Sequence, residues 1–330
     1  MKRTFALVFV VVTLASGAAS AVMVDREFHE SFEALEGDVI ECRFGDGDVR
    51  VSSWDENTVD VRVAYRADVK GLGFGRDPDF EADIRRVDGE ILIEGREIPG
   101  GAPFVRVRSI DEYVYSIKAP SWVVLRLTGD DGDVTVDGRT APIAITLDDG
   151  DVDISDSRAG EIRIAFEDGD LALTKVAAEL RLTGDDGDVV LTECEFPFAR
   201  LRLGDGDVLA SGSAGNMEIV VDDGDVALHG MVGERLEIRG EDGDVRVELA
   251  EMPSVDLDID LDDGDADIVY VPGLSAKLLF TTDDGRLELD GVDIADYEED
   301  EHMASGVIGG GDGRIRIRTS DGDVLLRSRR

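Results

Sequence analysis

Leu125-Arg126-Leu127-Thr128-Gly129-Asp130-Asp131-Gly132-Asp133-Val134 recurs letter for letter from Leu180 to Val189. The Asp-Gly-Asp turn at its heart occurs with glycines at Gly132, Gly150, Gly169, Gly187, Gly206, Gly224, Gly243 and Gly264, and a variant, Asp284-Gly285-Arg286, closes the run. Successive glycines are 18, 19, 18, 19, 18, 19, 21 and 21 residues apart. A fixed period this short marks a quasi-one-dimensional repeat fold. The two identical stretches lie 55 residues apart, three periods, which points to duplication of whole units.

Within one unit the apolar residues of Ile143-Ala144-Ile145-Thr146-Leu147 alternate, as do Val152 and Ile154 after the turn. Each unit therefore holds two short strands with one buried face. The Asp and Gly between them supply the backbone freedom and self-bonding side chains of a tight turn. A plain hairpin would use only about ten residues of the period; stacked coils account for the rest as a return path. The spacing predicts an all-β fold, a parallel β-helix or β-solenoid with coils of about 18–21 residues and about a dozen coils in all. Each strand would pair with its copy about 4.8 Å above and below. The crossover rule favours a right-handed winding.

The regular solenoid is read over residues 119–290. Residues 22–118 share its vocabulary with less regular spacing and are read as an irregular N-terminal cap and first coils. There Phe44 to Val51 makes a turn and strand, Val59 to Tyr65 a strand, and Val87-Asp88-Gly89-Glu90-Ile91 a hairpin, while Asp68 to Phe80 reads as an excursion loop. Residues 291–330 hold an acidic loop, Asp296 to His302, and closing coils built from Arg314 to Arg318 and Asp321 to Leu325. Residues 1–21 read as a signal peptide, with Lys2 and Arg3, an apolar run from Phe5 to Leu14 and an Ala19-Ser20-Ala21 cleavage site. Nothing else is apolar enough to cross a membrane, and no Cys follows the cleavage point as a lipid anchor would need. The expected location is secreted, periplasmic or cell surface.

With 75 Asp and Glu against 34 Lys and Arg, the formal net charge is −41. Such a field repels phosphates, so nucleic acid and anionic membrane are excluded as partners. Cations, cationic peptides, or a protein or cell-surface partner with a basic face remain. Disorder is excluded by the apolar alternation in every repeat. Cys42 and Cys194 would stand at least three coils apart if coils stack in sequence order, too far for a disulfide, and read as small buried hydrophobes.

The Lys118-Ala119-Pro120 entry, the copies of T-x-x-D-G-D-V, and Gly306-Val307-Ile308-Gly309-Gly310-Gly311 followed by Ser320 to Val324 together resemble a large prokaryotic family of candidate adhesins. The resemblance covers roughly residues 26 to 327. It implies an exported or membrane-tethered parallel β-helix with a surface or envelope role, and it supplies no catalytic residues. Some relatives are linked to attachment or envelope stress. This chain departs from them in carrying Asp-Gly-Asp in nearly every coil.

Stacking would gather the acids into columns, with Asp131, Asp149, Asp186 and Asp223 in one and Asp133, Asp151, Asp188 and Asp225 in another. Carboxylates about 5 Å apart repel by on the order of 1 kcal/mol per pair even in water. Bound calcium, diffuse cations and salt, or turn amides could each relieve that repulsion. These eight residues are the candidate cation ladder. An enzymatic role is not expected, because identical acids in every coil build a surface, whereas a catalytic pair needs two acids in different environments. His29, His229 and His302 are scattered without metal spacing, and Trp54 and Trp122 read as cap packing. The expected function is an adhesin-like interaction scaffold; the alternative is a periplasmic cation-binding or envelope-stress-sensing module.

Overall fold

The structure is a computed structural model and describes residues 20–73, 79–99 and 103–329. Of the expected leader, all but Ser20 and Ala21 lies outside the described residues. Every regular element among the described residues is a β-strand, and the strands form two sheets, of 14 and 15 strands. No helix long and apolar enough to cross a membrane occurs among them.

Each repeat gives one strand to each sheet. Ile143–Asp149 lies in the larger sheet and, past the Gly150 turn, Val152–Ser155 lies in the smaller. Pairing between levels is parallel and in register, so like residues meet: Leu125, Ile143, Ile162, Leu180 and Ala199 along one sheet, and Val134, Val152, Leu171, Val189 and Val208 along the other. All ten are buried. The alternation read from the sequence is the cause: in a strand every second side chain points to one face, and here that face meets the opposite sheet. Twelve levels carry a strand in both sheets.

The levels do not all follow sequence order, and this corrects the expected stacking. At the C-terminal end, Gly313–Asp321 sits between Asp256–Asp263 and Ala276–Thr282, and Val324–Ser328 sits between Ala266–Tyr270 and Leu287–Asp290. The closing coil is therefore second from the end. Its arginines stand against the aspartates of the neighbouring strand: Arg314 donates to both oxygens of Asp256 at 3.0 and 3.1 Å, Arg316 pairs with Asp258, Arg318 with Asp260 at 3.0 Å and Arg327 with Asp267. Each exposed pair contributes little, but a slip by one residue would turn every one of them to the other face. The N-terminal end repeats the device. Val39–Phe44 lies between Glu90–Ile98 and Val124–Asp131, and Asp48–Ser53 lies between Pro103–Ala119 and Val134–Asp137.

Beyond that level the cap turns antiparallel. Thr58–Gly73 pairs with Pro103–Ala119 on one side and with Ser20–Glu33 on the other. Asp79–Val87 and Glu90–Ile98 form the expected hairpin around Asp88 and Gly89, both at positive φ. The expected loop from Asp68 to Phe80 is mostly strand where described: residues 68–73 continue Thr58–Gly73, residues 79–80 begin Asp79–Val87, and 74–78 lie outside the described residues. The acidic run is likewise part strand, Ala295–Glu299, antiparallel to Met303–Ile308 and exposed throughout. Aromatic rings fill the cap core. Tyr65 stacks on Phe80 with centroids 4.5 Å apart, and the Tyr113 and Tyr115 hydroxyls meet at 2.9 Å.

Two buried charges tie the intercalated N-terminal level to its neighbours. Arg139 is fully buried; its guanidinium donates to Ser53 Oγ at 3.1 Å, to the Ala119 carbonyl at 3.3 Å and to the Val123 carbonyl. Burial lowers its pKa to about 10. Asp38 accepts from the Leu35 amide at 2.8 Å and from Arg86 at 2.7 Å, fastening the hairpin to the strand that follows Asp38. Cys42 and Cys194 are both buried and free, as expected, and the levels between them run in sequence order from Val124–Asp131 to Glu179–Asp186. Trp54 is half-buried in the cap, donating to the Thr58 carbonyl at 2.8 Å. Trp122, expected to pack likewise, is 42% exposed.

Candidate functional site: the stacked Asp-Gly-Asp edge

The turns lie one above another along a single edge, and their glycines are what permits it. From Gly132 to Gly264 all eight have φ between 129 and 154°. A Cβ on Gly169 would lie 2.2 Å from the Gly150 carbonyl oxygen, and one on Gly187 2.0 Å from that of Gly169. Only glycine allows this approach at that φ. Each glycine amide donates to the first Asp of the next turn, as Gly150 does to the Asp168 carbonyl at 3.1 Å.

The two aspartates of each turn do different work. The second accepts on Oδ1 the backbone N–H of its counterpart one level on. The chain of bonds runs from Asp133 to Asp151, Asp170, Asp188, Asp207, Asp225, Asp244, Asp265 and Asp323 and ends at the Arg286 amide. The distances lie between 2.7 and 3.2 Å. Of the three reliefs considered for the stacked charge, turn amides are the one built into this column. Asp188→Ala should cost about 1 kcal/mol in denaturant unfolding by stranding the Asp207 amide, whereas Asp188→Asn keeps an acceptor oxygen and should stay within about half of that.

The first aspartates face one another in register: Asp131 with Asp149, then Asp168, Asp186, Asp205 and Asp223. Loss of hydration between neighbours, then the charges of Asp131 and Asp168, hold the Asp149 carboxyl above its ordinary value of 3.8. Asp186 is raised in the same way, by lost hydration and then by Asp205 and Asp168. A carboxyl raised in the folded state binds its proton more tightly than in the unfolded chain. Its contribution therefore favours folding at low pH and is lost as pH rises through the folded value. Asp186→Asn should raise the thermal midpoint at neutral pH and lose that advantage near pH 4 at constant ionic strength; an equal gain at both values would refute the assignment.

The eight predicted residues thus divide. Asp131 and Asp149 are direct neighbours, as are Asp133 and Asp151, whereas Asp186 and Asp223 are separated by the Asp205 level. Asp168, Asp205, Asp242 and Asp263 carry the same geometry, and the intercalated coil adds Asp321 and Asp323 to the two columns. Calcium takes six to eight oxygens. Among the described residues no group of three or more His, Cys, Asp or Glu side chains could hold a metal ion. The histidines stand apart: His29 meets Asp60 at 2.7 Å, His229 meets Glu248 at 3.6 Å, and His302 lies in the acidic run.

Two concavities escaped the sequence reading. A groove of about 790 Å³ follows the turn edge near the C-terminal end, lined by Asp225, Asp244, Asp265 and Asp323 with Arg246 and Arg286. A cleft of about 480 Å³ opens at the cap between the Asp46 turn and Glu94 to Glu97, over Tyr113. Its charges are already engaged: Glu94 with Arg43 at 3.3 Å, Arg96 with Glu81 at 3.1 Å and Glu97 with the Tyr65 hydroxyl at 3.1 Å. Both arise where levels are intercalated, which no local motif announces.

Solved structures of similar architecture come from Bacteroides fragilis and Parabacteroides distasonis. A candidate adhesin from Bacteroides fragilis is 13% identical over 91% of this chain and 97% of its own, with a TM-score of 0.37. A candidate adhesin from Parabacteroides distasonis is 9% identical over 92% and 97%, with a TM-score of 0.39. A candidate lipid-binding protein from the same organism is 11% identical over 92% and 97%, also at 0.39. No curated protein matches the chain. The Toastrack DUF4097 profile matches residues 123–195 and 177–327, the whole regular stack and its closing coil, and the chain belongs to that family.

Proposed function

We propose that this protein is an exported, non-enzymatic scaffold, a right-handed acidic rod that attaches to basic faces of a protein or cell-surface partner. The observation that carries the reading is the unbroken repetition of the two aspartate columns along one edge. A repeated site binds by multiplicity: several weak contacts along one rod reinforce one another when the partner spans them. The net charge of −41 selects cationic partners and repels phosphate-bearing ones. The leader-like segment at residues 1–21 supports delivery across a membrane.

Immobilised protein should capture an arginine-rich peptide at low salt, with affinity falling steeply as sodium chloride rises. Duplex DNA and anionic vesicles should not bind. Beads coated with the protein should be retained on cells, and the same peptide should release them. Failure of the peptide to bind at low salt, or retention indifferent to it, would overturn the proposal.

A further inference from the structure

Four strands end the two sheets, and they are not alike. At the C-terminal end the edges are Leu287–Asp290 and the acidic, fully exposed Ala295–Glu299. Short, charged edges resist pairing with another chain. At the N-terminal end the larger sheet stops at Asp79–Val87, nine residues, and the smaller at Ser20–Glu33, fourteen. This last edge is the longest and the least guarded. One side of it pairs along its whole length with Thr58–Gly73, and the other has no strand partner among the described residues. Among the described residues, arginine side chains meet its carbonyls at Asp25 and Glu33, from Arg26 and Arg86. Phe28 and Phe32 on one face are only partly buried against the core.

We infer that the Met23–Glu33 stretch of this edge pairs antiparallel with the same stretch of a second copy, about a two-fold axis through Phe28, joining two small sheets into one. The sequence of the edge is self-complementary in that register. Arg26 meets Glu30, Glu27 meets His29, Val24 meets Phe32, Asp25 meets Ser31, and the two Phe28 rings meet each other. No like charges oppose. Shifting the centre one residue either way sets Glu27 against Glu27 or Asp25 against Glu33, and cross-strand like charges are destabilising. Isologous pairing of this kind is what a two-fold dimer requires. Arg26, which reaches Asp79 at 2.8 Å within its own chain, is still 46% exposed and can bridge both carboxylates.

Charge distribution permits the contact. Residues 22–118 hold 23 acidic and 13 basic side chains, against 52 and 19 from residue 119 onward. The copies would meet at their least acidic ends. The Asp-Gly-Asp columns run away from the contact, beyond about one Debye length for most of their extent at physiological salt.

Sedimentation velocity over a concentration series at physiological salt tests the pairing. The purified protein should form dimers, and Glu30→Arg should raise the dissociation constant about tenfold, because each of two symmetry-related pairs turns from attraction to repulsion. Arg26→Glu combined with Glu30→Arg restores opposite charges and should restore the dimer. Thermal melts of each variant verify that the fold is intact, and the double variant keeps the test decisive should Glu30→Arg alone fold poorly. A monomer throughout the series, or a dimer indifferent to the charge exchange, would overturn the inference.

Discussion

Gly187→Ala should lower stability by roughly 3–5 kcal/mol, a fall of on the order of 10 °C in thermal midpoint, while Gly160→Ala should change it by no more than about 0.5 kcal/mol. Two costs add at Gly187. Its φ of 140° lies where side chains other than glycine are strained, by about 1–3 kcal/mol. The new Cβ would also meet the Gly169 carbonyl oxygen at 2.0 Å, and that oxygen belongs to backbone held by its own ladder bonds. Relief requires the two levels to part locally, which breaks bonds that the Asp186 and Asp188 positions make on either side. Gly160 has neither burden, with open space around its Cβ direction and no positive φ. Equal effects of the two substitutions in calorimetry would show that close stacking of turns is not what the repeated glycine secures.

Deleting residues 313–330 should strip hydrogen-exchange protection from residues 276–308 as well as removing the deleted coil, while 124–249 keep theirs. In a stack built in sequence order, losing the last coil would only expose the one before it. Here the deleted strands are the neighbours of both Asp256–Asp263 and Ala276–Thr282 in one sheet, and of both Ala266–Tyr270 and Leu287–Asp290 in the other. Ile315, Ile317, Val324 and Leu326, all buried, leave with them. Ala276–Thr282 then keeps only the antiparallel Met303–Ile308, itself paired with the fully exposed Ala295–Glu299, and a small antiparallel sheet left without a core to cover is marginal in water. Retained protection over 276–308 would mean that the outer levels can dock directly on Asp256–Asp263, and the intercalated order would not be needed for the fold.

Legibility followed the physics of the period. The turn must have glycine at one place and an amide-binding side chain at the next, so the motif reads plainly in every coil, and with it the strands on either side. Which level lies beside which is set by contacts distant in the chain, and no turn residue encodes it. A trace was present: Asp256-Leu257-Asp258-Ile259-Asp260 and Arg314-Ile315-Arg316-Ile317-Arg318 share one apolar pattern with opposite charges, the signature of adjacent strands. The aspartate columns were legible, and which oxygen binds an amide was not, because that depends on the offset of one level against the next. Residues 68–73 read as loop because Asp68, Gly71 and Gly73 interrupt the apolar alternation in the sequence, yet pairing with Pro103–Ala119 keeps the backbone extended.

The intercalated ends also decide how the rod carries a load. A simple stack pulled by its termini yields from the outside, one level at a time, because its outermost coil has a single neighbour. In this protein a pull on the C-terminus enters through Val324–Ser328, which is clasped between two strands, so both flanking ladders have to rupture together before any length is released. The outermost level is a mid-chain segment that the tension bypasses. At that end the weakest level is thereby taken out of the line of force.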